Sequence, residues 1–114
     1  MHDKEIRTVL RDLGVPAHLK GFASMRACIQ IVLEHPDAMD NIVRRVYGAA
    51  AVELGSSASR VERAIRYAIA YIFENTDTEV LERYFGHTVS VKNGAVTNKC
   101  FIATIVDYIK MEVK

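Results

Sequence analysis

Wound as a helix at about 100° per residue, the stretch from residue 58 onward places Ser59, Glu62, Arg63 and Arg66 on one arc, with Arg60 and Tyr67 along its edge. The opposite arc is apolar: Val61, Ala64, Ile65, Ala68, Ile69 and Ile72. The chemistry such a face offers is recognition by hydrogen bonding. An arginine presents two N–H donors that fit N7 and O6 of guanine, and a glutamate accepts from the N4 amino group of cytosine. Further cations meet phosphate oxygens. Arg60, Glu62 and Arg63 are therefore candidate readers of base edges in double-stranded DNA, and Arg66 is a candidate at or near the backbone. A plainer reading stands beside this one. Ser59-x-x-Glu62 is the pattern of a capping box, in which Glu62 turns back to the helix start.

A reading helix has to be held away from its own core by a second helix, and the preceding residues have the spacing for that. Ala51 is small enough for a helix crossing, Leu54 and Gly55 suit a tight turn, and Val61 faces inward on the following helix. Gly55 answers the steric cost of a positive φ at a helix end. The order predicts a helix-turn-helix over about 49–74. His18 and Lys20 flank another helix start, where free N–H groups favour an anion, so a phosphate there is expected.

The rest of the chain is helical in its apolar spacing. Ile6, Val9, Leu10 and Leu13 mark a first helix, stopped by Gly14 and Pro16. A second starts near Lys20, carries Phe22, Met25, Ile29, Val32 and Leu33 inward, and ends before Pro36. Asp37 is expected to cap a third, with Met39, Ile42, Val43 and Val46 on its buried stripe, Arg44 and Arg45 on its wet side, and a break at Tyr47-Gly48. Val80, Leu81, Tyr84 and Phe85 form a further helix ending at Gly86. Residues 88–97 are either a short hairpin about Asn93-Gly94 or an extended loop. Asn98 is expected to cap a last helix bearing Phe101, Ile102, Ile105, Val106 and Ile109. The fold class expected is all-α, six or so helices around the helix-turn-helix.

Composition narrows the function classes. Half of the 114 residues are apolar and a quarter charged, as in an ordinary globular chain. No apolar run is long enough for a bilayer and no secretory leader opens the chain, so a cytoplasmic protein without membrane contact is expected. Cys28 and Cys100 lie in helical patterns without metal-ligand spacing and are expected to stay unbridged. His2, His18, His35 and His87 make no ligand pair, and neither a nucleophile–base constellation nor a phosphate-cradling glycine loop is visible. No enzymatic activity, metal or cofactor is expected. The formal net charge is only +1, so any positive field must be local, and one copy should bind DNA weakly.

The segment Ser59-Arg-Val-Glu-Arg-Ala-Ile-Arg66 resembles the recognition helix of the DNA-binding effector domain of the sporulation master response regulator (the stage 0 sporulation protein A family) of endospore-forming Firmicutes. Gly14-Val-Pro-Ala-His-Leu-Lys-Gly21 resembles the loop and helix start near that domain's N-terminus. Phe85-Gly86-His87-Thr88-Val89, and Thr97-Asn98 with Phe101-Ile102-Ala103, resemble two further blocks. The resemblance covers nearly the whole chain. It implies an all-helical domain that binds a short asymmetric promoter element, usually as tandem copies, and that touches the sigma subunit of RNA polymerase. It also implies that Arg60 and Glu62 read bases with Arg63 at the DNA, that Arg66 and Tyr67 lie nearby, and that His18, Lys20 and Ser59 lie near the phosphates.

This chain departs from the family at several positions. Tyr67 replaces a usual His, Gly48 a Pro, Val96 a Pro, and Lys99-Cys100 a Ser-Glu pair. The family places a phosphorylated receiver ahead of this domain, whereas residues 1–114 are expected to form the effector domain alone. That leaves an excised effector or a stand-alone relative. The second function to weigh is a receiver-less decoy that pairs with a full-length regulator without reading DNA independently.

Overall fold

The computed structural model describes residues 2–86 and 96–112. His87 and most of the expected hairpin or loop at 88–97 lie outside the described residues. Among the described residues six α-helices run in the order α1 (Asp3–Asp12), α2 (Lys20–Glu34), α3 (Ala49–Leu54), α4 (Ala58–Asn75), α5 (Thr78–Phe85) and α6 (Asn98–Glu112). No strand occurs among the described residues. The fold is all-α, as the apolar periodicity predicts.

Each helix buries the stripe its spacing marks. Ile6, Val9 and Leu10 of α1, Phe22, Met25, Ile29 and Val32 of α2, Val61, Ile65, Ile69 and Ile72 of α4, and Phe101, Ile102, Ile105 and Ile109 of α6 share one apolar core. Each such side chain contributes about 1.5–3 kcal/mol of burial. The central element is α2, which packs against α1, α3, α4 and α6. Polar ties fix the periphery. The Thr76 hydroxyl donates to the Leu13 carbonyl at 2.6 Å, Arg83 pairs with Asp12 at 3.0 Å, and the Tyr84 hydroxyl donates to the same carboxylate. Arg26 of α2 reaches Glu53 of α3 at 2.8 Å. α1 gives way to α2 through Gly14 at φ +86°, and α5 stops at Gly86, φ +69°.

The expected third α-helix is corrected. Residues Pro36–Asn41 form a 3₁₀ turn and Ile42–Gly48 a wider π-helical turn, which runs into α3 without a break. Gly48 has ordinary right-handed helical angles, φ −64° and ψ −43°. Asp37 caps nothing. It lies in the first turn of the 3₁₀ segment, which follows His35, and its carboxylate accepts from Arg45 at 3.0 Å. That hydrogen bond holds the Asp37 carboxyl below its usual pKa. A wide turn rotates less per residue, so residues three apart no longer share a face. Val46 is accordingly buried while Val43 is 60% exposed. Gly48 fits this winding, because a Cβ there would lie 3.3 Å from the Val43 carbonyl oxygen. Arg44 and Arg45 are exposed, on the wet side as expected.

Candidate nucleic-acid interface

The α3–α4 connection forms as its residue types require. Gly55 has left-handed angles, φ 63° and ψ 43°. The Ser56 amide donates to the Ala51 carbonyl at 2.9 Å and the Gly55 amide to that of Val52 at 3.4 Å. These two bonds close a Schellman motif that satisfies the last carbonyls of α3. Ala51 and Val61 are buried at the crossing, and Leu54 packs half-buried against the core.

The start of α4 differs from the expected capping box. Ser57, in an extended conformation at φ −129° and ψ 157°, is the N-cap, and its hydroxyl accepts from the Arg60 amide at 3.3 Å. Ser59 sits inside the first turn and is exposed. With two serines in reach, the cap falls on the one whose backbone is extended, since a capping residue must have non-helical angles. Glu62 is therefore not turned back. Its carboxylate receives Arg66 at 2.9 Å and 3.2 Å, an i,i+4 pair in the favourable order of acid before base. The Arg66 guanidinium also lies 5.8 Å from the centre of the Tyr67 ring. Arg60 and Arg63 are exposed, and neither forms an ion pair among the described residues.

The main chain of α4 is anchored from behind. The Asn98 side-chain amide donates to the Glu62 carbonyl at 3.0 Å, tying the start of α6 to the second turn of α4. Asn98 does not cap α6, contrary to expectation. The cap is Thr97, whose hydroxyl accepts from the Cys100 amide at 3.1 Å. Tyr47 lies in the same interior region; burial raises its phenol pKa, and a hydrogen bond with Asn98 opposes that rise.

A groove of about 870 Å³ runs along α4, between it, the start of α2 and the α3–α4 turn. Lys20, Arg60, Arg63 and Tyr67 line it, together with Tyr71, and no Asp or Glu does. His18, exposed ahead of α2, lies outside the lining, as do Ser59, Glu62 and Arg66. The structure thus gathers one cation from α2 and two from α4 and leaves the Glu62–Arg66 pair outside the groove lining. What permits this is the close crossing of α2 on α4. A Cβ on Gly21 would lie 2.6 Å from the Ala68 Cβ and 3.0 Å from the Ala64 carbonyl oxygen. Sequence reasoning missed Gly21, Tyr71 and Asn98 as parts of the site. The small-residue trio Gly21, Ala64 and Ala68 was a readable signal for a close crossing; the other two carried none.

Cys28 is buried and Cys100 exposed, both unbridged. Among the described residues no cluster of His, Cys, Asp or Glu suits a metal ion, and no helix is long and apolar enough to cross a membrane.

A short helix, a glycine turn and a long capped helix that offers cations outward define a helix-turn-helix protein of the DNA-binding class. Residues 6–109 match the family described as Sporulation initiation factor Spo0A C terminal, and the chain belongs to that family. Its members are DNA-binding effector domains of a sporulation regulator, acting in transcription and not as enzymes.

Proposed function

We propose that this protein reads a promoter element by laying the first turns of α4 in the major groove of duplex DNA. Arg60 and Arg63 contact base edges, and Glu62 discriminates beside them. Lys20, His18 and Ser59 hold the phosphate backbone, with Arg66 and Tyr67 close to it. The observation that carries this reading is that Arg60 and Arg63 stand exposed and without an ion-pair partner among the described residues, at the capped end of α4, beside a groove that also holds Lys20 and is lined by no described Asp or Glu. Guanidinium groups without an internal carboxylate meet DNA with no ion pair to break first.

Further elements of the reading rest on family membership: binding as tandem copies on one promoter, contact with the sigma subunit of RNA polymerase, and action in the cytoplasm. The alternative, a decoy that only pairs with a full-length regulator, would leave the arginines of α4 without a task.

The test is a binding isotherm on a duplex selected from a random library, set against a scrambled duplex. Arg60→Ala should weaken the selected duplex by about 1–3 kcal/mol and relax preference at one base pair. Unchanged affinity and unchanged preference would remove Arg60 from the reading role.

A further inference from the structure

We propose that the groove beside α4 seats the sugar–phosphate backbone of one DNA strand, and that Tyr71 is a phosphate contact within it. The proposal rests on the reading of α4 given above and extends it to a residue that reading does not include.

Arg60, Arg63, Tyr67 and Tyr71 recur at three- and four-residue intervals, so they form one stripe along α4, and all four line the groove. The far wall carries Lys20. Between the walls the floor is made of small residues, because Gly21 rests against Ala64 and Ala68 too closely to admit a side chain. The result is a channel with a shallow apolar floor and long polar-tipped walls. Its lining includes three cations, two phenols and no carboxylate. A deoxyribose–phosphate strand matches the parts: sugar faces on the floor, phosphate oxygens at the Lys20 ammonium and the phenol tips, with Arg60 and Arg63 reaching past the strand to the base edges.

Position along the helix favours DNA over an acidic peptide as the occupant. The channel begins at the reading end of α4, and Tyr71 lies about 16 Å further along the axis at about 1.5 Å per residue. A helix whose first turns meet base edges must pass the strand that borders the major groove as it leaves, and the side chains facing that strand are those one to three turns on. Tyr71 is 41% exposed and lines the channel, so a strand seated there can meet it without displacing core.

Tyr71→Phe removes only the hydroxyl and leaves the ring, so folding is preserved. It should weaken binding to selected and scrambled duplexes alike by about tenfold, the loss of one hydrogen bond to a charged group. Base preference should stay as in the parent. Arg60→Ala, measured alongside, should weaken the selected duplex and leave the scrambled one less affected. Unchanged binding by Tyr71→Phe, with Arg60→Ala still impaired, overturns the channel and keeps the reading helix; an acidic-peptide groove belongs to this outcome. A loss by Tyr71→Phe confined to the selected duplex also overturns it, since a backbone contact carries no sequence information. No loss in either variant overturns both.

Discussion

Gly21→Ala tests the crossing on which the interface depends. Helix propensity alone makes this substitution favourable, since alanine exceeds glycine by up to about 1 kcal/mol inside a helix. The crossing reverses the sign. The added Cβ would stand 2.6 Å from the Ala68 Cβ and 3.0 Å from the Ala64 carbonyl oxygen, against an ordinary contact of at least 3.4 Å. α2 and α4 must separate by about 1 Å, and overpacking of this kind costs about 1–3 kcal/mol. Subtracting the propensity gain from the middle of that range leaves a net destabilisation of about 1 kcal/mol, or about 4 °C in Tm for a domain of this size. Denaturant titration of Gly21→Ala, Ala68→Gly and the double variant reads the pair directly. The double variant should lie about 1 kcal/mol above the sum of the singles, because Ala68→Gly removes the nearest obstacle. Rescue stays incomplete, since the Ala64 carbonyl remains. DNA affinity of Gly21→Ala, measured where the protein is fully folded, should fall several-fold as Lys20 moves relative to α4. A Gly21→Ala protein as stable as the parent, or strictly additive single changes, would refute the argument.

Three other predictions follow from groups placed by the fold. Glu62→Gln should release Arg66, now held at 2.9 Å, so that affinity for scrambled DNA rises about two- to fivefold while discrimination between duplexes narrows by roughly 1 kcal/mol; filter binding at two salt concentrations reads both. Burial pushes the Cys28 thiol up to about 12 from 9.0, so the unfolded chain ionises first as pH rises. The stabilisation is therefore whole below about pH 9 and is lost toward pH 12, by up to about 4 kcal/mol. Urea titrations from pH 8 to 10.5 should show this fall, and Cys28→Ala should lessen it, the remainder coming from the raised phenols of Tyr47 and Tyr84. At pH 8 a thiol reagent should label Cys100 at once and Cys28 only on unfolding.

Most of the fold was legible because its helices are wound at the ordinary period and end on residues with one steric purpose. Gly14, Gly55 and Gly86 all take the positive φ that their place after an apolar run implies. The departures have two causes. The ordinary 3.6-residue period does not hold over Ile42–Gly48, where the chain winds more widely, and nothing in its residue types announces a π turn. The caps depart for a second reason. Ser57 and Ser59, or Thr97 and Asn98, are chemically equivalent candidates one or two residues apart, and only the backbone angle at the junction separates them. Asn98, freed from capping, spends its amide on the Glu62 carbonyl, a contact 36 residues away in the chain that no local pattern encodes.

The arginines of α4 were legible as a face, yet their division of labour was not, because it depends on which carboxylates reach them. Arg66 is already neutralised by Glu62, so the unbalanced charge of the site is Arg60, Arg63 and Lys20 around one channel. In the proposed reading that arrangement lets a chain of net charge +1 carry a DNA face: the excess is concentrated by leaving one groove without acids. It also bounds the affinity. If the proposed face makes two or three phosphate contacts per copy, log K should fall with log salt at a slope of only about −2 to −3. Electrostatics of that size fit the proposed binding as tandem copies on one promoter, and a duplex with a single site bound as tightly as one with two adjacent sites would refute that part of the proposal.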